Sequence, residues 1–179
     1  MLTFRRLVSL LSLVFISACT NPPKQESSQV NVGVEKSSLL SSYRSLIHQD
    51  LSKTKSFFSV KDEEIKEGLS YGRLRGLSLI EVHGNLPSTL YCKGEKVILV
   101  YISGSRTNIS VSQLQGAYPQ ADVINPSRAG KRFSHYVVAK EGVSWSDNGE
   151  EVAFIEIFPP TTVSNWKKTF YQDPGLFHK

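Results

Sequence analysis

The run Val97-Ile98-Leu99-Val100-Tyr101-Ile102 constrains this chain more than any other segment. Six consecutive apolar residues, four of them β-branched, are too few for a buried helix and read as a strand buried on both faces. Thr89-Leu90-Tyr91-Cys92 precedes it across Lys93-Gly94-Glu95, so the pair reads as a β-hairpin. Strands are also expected at Asp122–Ile124, Phe133–Ala139, Val143–Trp145 and Glu151–Phe158, with Asp147-Asn148-Gly149 as the turn before the last of them.

Upstream the pattern reads as helical. Leu39, Leu40, Tyr43, Leu46, Ile47 and Leu51 recur at three- and four-residue steps, which predicts an amphipathic helix. A second is expected after Ser59, with Asp62, Glu63 and Glu64 in its first turn and Gly72 and Gly76 at its end. Ser78-Leu79-Ile80-Glu81 has the form of a capping box opening a third, closed by Pro87. Ser110 to Gln113 has the same form and predicts a short helix between strands, and Val163, Trp166, Phe170 and Tyr171 suit a C-terminal helix. The expected architecture is α+β: N-terminal helices followed by a largely antiparallel sheet, as a single globular domain over residues 39–179.

The first eighteen residues form a different kind of segment. They carry Arg5 and Arg6 and no acidic residue, then an apolar run from Leu7 to Ile16 about half as long as a membrane span. This is the pattern of a secretory signal peptide. It ends in Ile16-Ser17-Ala18-Cys19, which resembles the lipobox of bacterial lipoproteins. The resemblance implies acylation of Cys19, cleavage before it, and anchoring to a membrane through covalent lipid. Thr20 stands where aspartate would favour inner-membrane retention in enterobacterial lipoproteins, so the expected location is the periplasmic face of the outer membrane. Residues 20–38 are mostly Pro, Gln, Ser, Asn and charged residues and read as a flexible tether between the lipid and the domain. Export argues against nucleic acid as a partner and leaves envelope proteins or anionic surface polymers.

Residues 76–101 carry a second resemblance. Gly76-x-Ser78-x-x-x-Val82-x-x-x-Leu86-Pro87, followed by a tyrosine-ended strand, is similar to the SmpA/BamE-like outer-membrane lipoproteins, although the Leu-Gly-x-Pro of that family is here Leu86-Pro87. The family implies an accessory role in assembling membrane barrels.

The catalytic inventory is sparse. Two cysteines and four scattered histidines are too few for a thiolate zinc site, and no cofactor is expected. The sharpest enzymatic alternative is a lipid-tethered cell-wall hydrolase with Cys92 as nucleophile, His135 as base and Asp122 as orienting carboxylate. Against it, a strand position gives Cys92 nothing to depress its pKa, and the simpler reading is a buried structural thiol. The best polar cluster is Asn125 to Arg132, where Arg128, Lys131 and Arg132 occupy a Pro/Gly-bounded loop able to grip phosphate or carboxylate. A non-enzymatic lipoprotein acting in binding, assembly or scaffolding follows from a clear anchor and the lack of a catalytic signature.

Overall fold

A computed structural model describes residues 39–124 and 126–172. The signal peptide, Cys19, the tether and Asn125 lie outside the described residues. Eight antiparallel strands form one sheet: β1 (Lys66–Tyr71), β2 (Leu74–Val82), β3 (Ser88–Lys93), β4 (Lys96–Ser103), β5 (Asp122–Ile124), β6 (Ser134–Val138), β7 (Val143–Asp147) and β8 (Val152–Ile157). Their spatial order is β1-β2-β3-β4-β8-β7-β6-β5. The chain therefore meanders from one edge to the middle, crosses to the opposite edge, and meanders back until β8 pairs with β4. Among the described residues four short α-helices accompany the sheet: α1 (Ser41–Arg44), α2 (Leu51–Phe58), α3 (Val111–Ala117) and α4 (Val163–Thr169). The fold is thus α+β, with sheet predominating.

β4 lies in the middle of the sheet and is covered on both sides, as its apolar run demands. Val97, Val100 and Ile102 join Leu40, Leu46, Leu114, Tyr118 and Trp145 in the core beneath α1 and α3. Leu99 faces the other way, into a smaller core with Tyr71, Phe158, Trp166 and Phe170 beneath α4. A register shift after Tyr91 lets Tyr91 pair with Leu99 while Cys92 pairs with Val97, leaving Ile98 as the extra residue.

The three N-terminal helices expected from periodicity are the main correction. The first is split. His48 takes a left-handed φ of 65°, and the chain around it bonds to the β3–β4 turn instead of continuing a helical ladder. His48 N–H donates to the Val97 carbonyl at 2.8 Å, Val97 N–H to Gln49 at 3.1 Å and Leu51 N–H to Glu95 at 2.8 Å.

The second expected helix shrinks to a single 3-10 turn at Asp62–Glu64, after which the chain enters β1, and Gly72-Arg73 forms the turn into β2. The third is strand β2. The two ends of its apparent capping box bond to β1: the Ser78 hydroxyl donates to Glu67 at 2.8 Å, and Glu81 accepts from Lys66 Nζ at 2.9 Å. Cross-strand partners outcompete a cap worth about 1 kcal/mol.

Downstream, the expectations and the structure agree within a residue or two. Ser110 does cap α3, accepting from Gln113 N–H at 3.2 Å, while the Gln113 side chain accepts from Ser110 N–H at 2.8 Å. The Asp147-Asn148-Gly149 turn is closed by side chains: Asp147 accepts from Gly149 N–H at 2.9 Å, and Asn148 from Glu151 N–H at 2.9 Å.

Candidate functional site

Strand register gathers the polar chemistry onto one face. Reading across the sheet, Glu81 pairs with Thr89, Thr89 with Tyr101, Tyr101 with Glu156 and Glu156 with Ser144. Directly paired residues point to the same side, so these side chains form a row on the face of the smaller core.

Glu156 is the centre of that row. It is an isolated charge in an apolar strand and is almost completely buried, at 1% exposure. Its Oε1 pairs with Arg128 Nη2 at 2.9 Å and accepts from the Tyr71 hydroxyl. Its Oε2 accepts from the Ser144 hydroxyl at 2.5 Å, with His135 Nε2 at 3.8 Å. Burying a carboxylate is tolerable only with such pairing.

Arg128 reaches Glu156 from the loop after β5. Its guanidinium lies over Phe154 at 4.1 Å, Tyr71 at 5.0 Å and Tyr101 at 5.1 Å, a cation held against three ring systems. Burial disfavours its charge, but Glu156 and the two tyrosines outweigh burial and hold its pKa above the ordinary value. Burial, reinforced by Glu156, lifts the Tyr71 hydroxyl well above the normal tyrosine range.

The loop is fastened where it leaves β5. The Ser127 and Ser146 hydroxyls share a hydrogen bond of 2.6 Å, and the Tyr171 hydroxyl donates to the Pro126 carbonyl at 2.6 Å.

Of the three cations expected on this loop, Arg128 grips a carboxylate of the chain itself, Glu156. The Arg128 side chain is only 13% exposed, whereas Lys131 and Arg132, at the far end of the loop, are exposed. The three cations of the sequence cluster thus divide into one internal clasp and two surface charges. Glu156 and Tyr71 escaped the sequence reading, although a lone glutamate inside Phe154-Ile155-Glu156-Ile157-Phe158 is a signal that could have found the first of them.

Cys92, His135 and Asp122 are not assembled into a triad. Cys92 belongs to the core beneath α1 and α3. His135 is on the opposite face, packed edge-on against Phe154 at 5.3 Å and Trp166 at 5.1 Å. β4, β8 and β7 separate their strands, and four strand spacings of ~4.8 Å put them roughly 19 Å apart along the sheet. Burial pushes the Cys92 thiol up to about 11, the reverse of an activated nucleophile. Asp122 is exposed on the edge strand. Among the described residues no group of His, Cys, Asp and Glu is arranged to hold a metal ion.

His135 has both ring nitrogens buried without a hydrogen-bond partner, as does the Trp166 indole N–H. Burial depresses its pKa from 6.5 to about 4, against the opposing pull of Glu156 and assisted by Arg128. The unfolded chain therefore takes up this proton first as pH falls. Stability contributed by neutral His135 is complete above pH ~6.5 and is lost progressively down to pH ~4, by ~3 kcal/mol. Urea titrations of wild type between pH 7 and 4 are expected to show this slope, and His135→Leu should flatten it. An equal slope in the variant would refute the assignment.

Beside this cluster, sharing Tyr101 with it, a shallow polar groove of ≈ 290 Å³ runs over Glu81, Thr89, Ser103, Ser105 and Arg106. No protein-family profile, curated protein or solved structure matches the chain.

Proposed function

We propose that this chain is a lipid-anchored protein of the bacterial envelope, held through Cys19 at the periplasmic face of the outer membrane. It works by binding an envelope protein or an anionic surface polymer and not by catalysis. The signal peptide and Ile16-Ser17-Ala18-Cys19 support the address. One structural observation carries the binding reading: Arg128 and Glu156 clasp the loop onto the sheet at 2.9 Å, and Lys131 and Arg132 stand exposed beyond the clasp. A fastened loop presents charge at little ordering cost on binding. An accessory role in barrel assembly, implied by the resemblance of residues 76–101 to SmpA/BamE-like lipoproteins, is one form of this reading. Those residues form part of β2, all of β3 and most of β4.

The test is in-cell cross-linking followed by isolation of the intact protein from detergent-solubilised membranes. Cys19→Ser should lose acyl label and leave the membrane pellet. Lys131→Glu with Arg132→Glu should keep the fold and lower cross-linked partner several-fold. That deficit should narrow as salt rises from 0.1 to 1 M and the Debye length falls from ~10 to ~3 Å. Acyl label persisting on the Cys19→Ser protein would sink the address. Undiminished cross-linking by the double variant at low salt would sink the role of the loop.

A further inference from the structure

Phe57 projects from α2 with 73% of its surface exposed, and among the described residues only Val123, at 55%, is another large apolar side chain so exposed. A single exposed apolar residue is ordinary, but Phe57 does not stand alone. Its ring meets Phe58 edge-on at 4.8 Å, and both rings, with Leu46 and Thr54, line a cavity of ≈ 240 Å³. The Thr54 hydroxyl at this wall is buried without a hydrogen-bond partner. Ser52, Lys53 and Ser56 flank Phe57 on the outer side of the helix.

Charge narrows the choice of occupant. Between residues 50 and 64, Lys53, Lys55 and Lys61 are outnumbered by Asp50, Asp62, Glu63 and Glu64. Lys55 pairs with Asp62, and Lys61 stands 3.9 Å from Glu63. Such a surface has little electrostatic attraction for a polyanion, so an occupant must be held by apolar contact.

Position narrows it further. The described residues begin at Leu39, and Ser45, six residues on, already lines the cavity. The chain thus enters the fold within ~20 Å of the cavity. Cys19 lies twenty residues before Leu39, a contour of at most ~70 Å. On the lipoprotein reading, from which this inference starts, that short contour keeps the α2 face at high effective concentration next to a bilayer.

We propose that the α2 face built on Phe57 docks onto the lipid bilayer that holds Cys19. Phe57 enters the boundary between headgroups and acyl chains, while Lys53, 4.0 Å from Asp50, stays at the headgroup level. One aromatic wedge is a weak membrane anchor alone; joined to a covalent anchor it suffices to orient the domain and turn the opposite surface toward partners.

The experiment uses the full acylated protein, as Phe57→Trp and as wild type, in phosphatidylethanolamine/phosphatidylglycerol vesicles with brominated acyl chains. Trp145 and Trp166 are buried and supply the background. Once that background is subtracted, the emission of the Phe57→Trp protein is expected to fall at least two-fold in brominated vesicles, equally at 0.1 and 1 M salt, while wild-type emission barely changes. Flotation of the acylated Phe57→Trp protein without this quenching would overturn docking and leave the lipid anchor standing. Failure of the acylated protein to float would overturn both. Cross-linking of copies through position 57 in detergent, with no quenching in vesicles, would assign this face to a second copy and likewise overturn the proposal.

Discussion

Arg128→Met is expected to lower the melting temperature by ~6–20 °C, the largest effect of any charge-removing substitution in the loop. The Arg128 guanidinium is 2.9 Å from the Glu156 carboxylate, whose side chain is 1% exposed. Met keeps much of the aliphatic stem and its contact with Phe154, so the change mainly isolates a buried anion. Breaking a buried pair from one side costs ~3–5 kcal/mol, and each kcal/mol moves the midpoint by ~2–4 °C at this chain length.

Lys131→Met and Arg132→Met should each fall within ~0.5 kcal/mol of wild type, since both residues are exposed. Adding Glu156→Gln to Arg128→Met should recover more than half of the loss, because the stranded charge is gone, while the amide oxygen accepts from one of the Tyr71 and Ser144 hydroxyls and its NH2 donates to the other. Thermal or urea unfolding of the four proteins checks this. Equal stabilities for Arg128→Met and Lys131→Met would show that the clasp contributes nothing.

Gly142→Ala is the second large effect, expected at ~2–4 kcal/mol. Gly142 ends the 3-10 turn between β6 and β7 at a φ of 64°, where any side chain is strained by about 1 kcal/mol. A Cβ there would also lie 2.0 Å from the Phe158 carbonyl oxygen. That atom cannot swing aside, because Phe158 N–H donates to Gly142 O at 2.9 Å and Thr161 N–H to Ala139 O at 2.8 Å. Relieving the clash means parting the end of β8 from β7, next to the stacked Phe158 and Phe170 rings. Gly149→Ala is the control: its φ of 90° is also strained, but a Cβ there meets nothing within 4 Å. Its cost should stay near ~1 kcal/mol, and equal losses at the two positions would remove the steric argument.

Surface and core differ here in how they could be read. Trp145, Phe154, Phe158 and Trp166 are buried, as aromatic residues at strand and helix spacing default to being. Cys92 is buried as well, in line with its reading as a structural thiol. Arg128 looked like a surface residue because a Pro/Gly loop seldom aims a guanidinium inward. Nothing local distinguishes it from Arg132. The difference is made by Glu156, twenty-eight residues away in sequence, together with Tyr71 from the other half of the sheet.

The elements legible along the chain are those where pattern and local chemistry agree. The double-sided run of β4, the reciprocal caps of α3 and the Asp147-Asn148-Gly149 turn are each fixed by neighbours within a few residues, so their physics is written in order along the chain. Long-range pairing settled the rest, where local preference is weak or misleading. The spacing of residues 39–51 and the capping-box form of Ser78–Glu81 predict helices, yet pairing with Val97 and Glu95 interrupts the first around His48 and pairing with Cys92 makes the second a strand. A cap or a three-four repeat is worth about 1 kcal/mol locally, whereas a paired and buried strand collects a comparable amount at nearly every residue. The gathering of Glu156, Arg128, Tyr71, Ser144 and His135 onto one face follows from register and strand order, which no single stretch of the sequence contains.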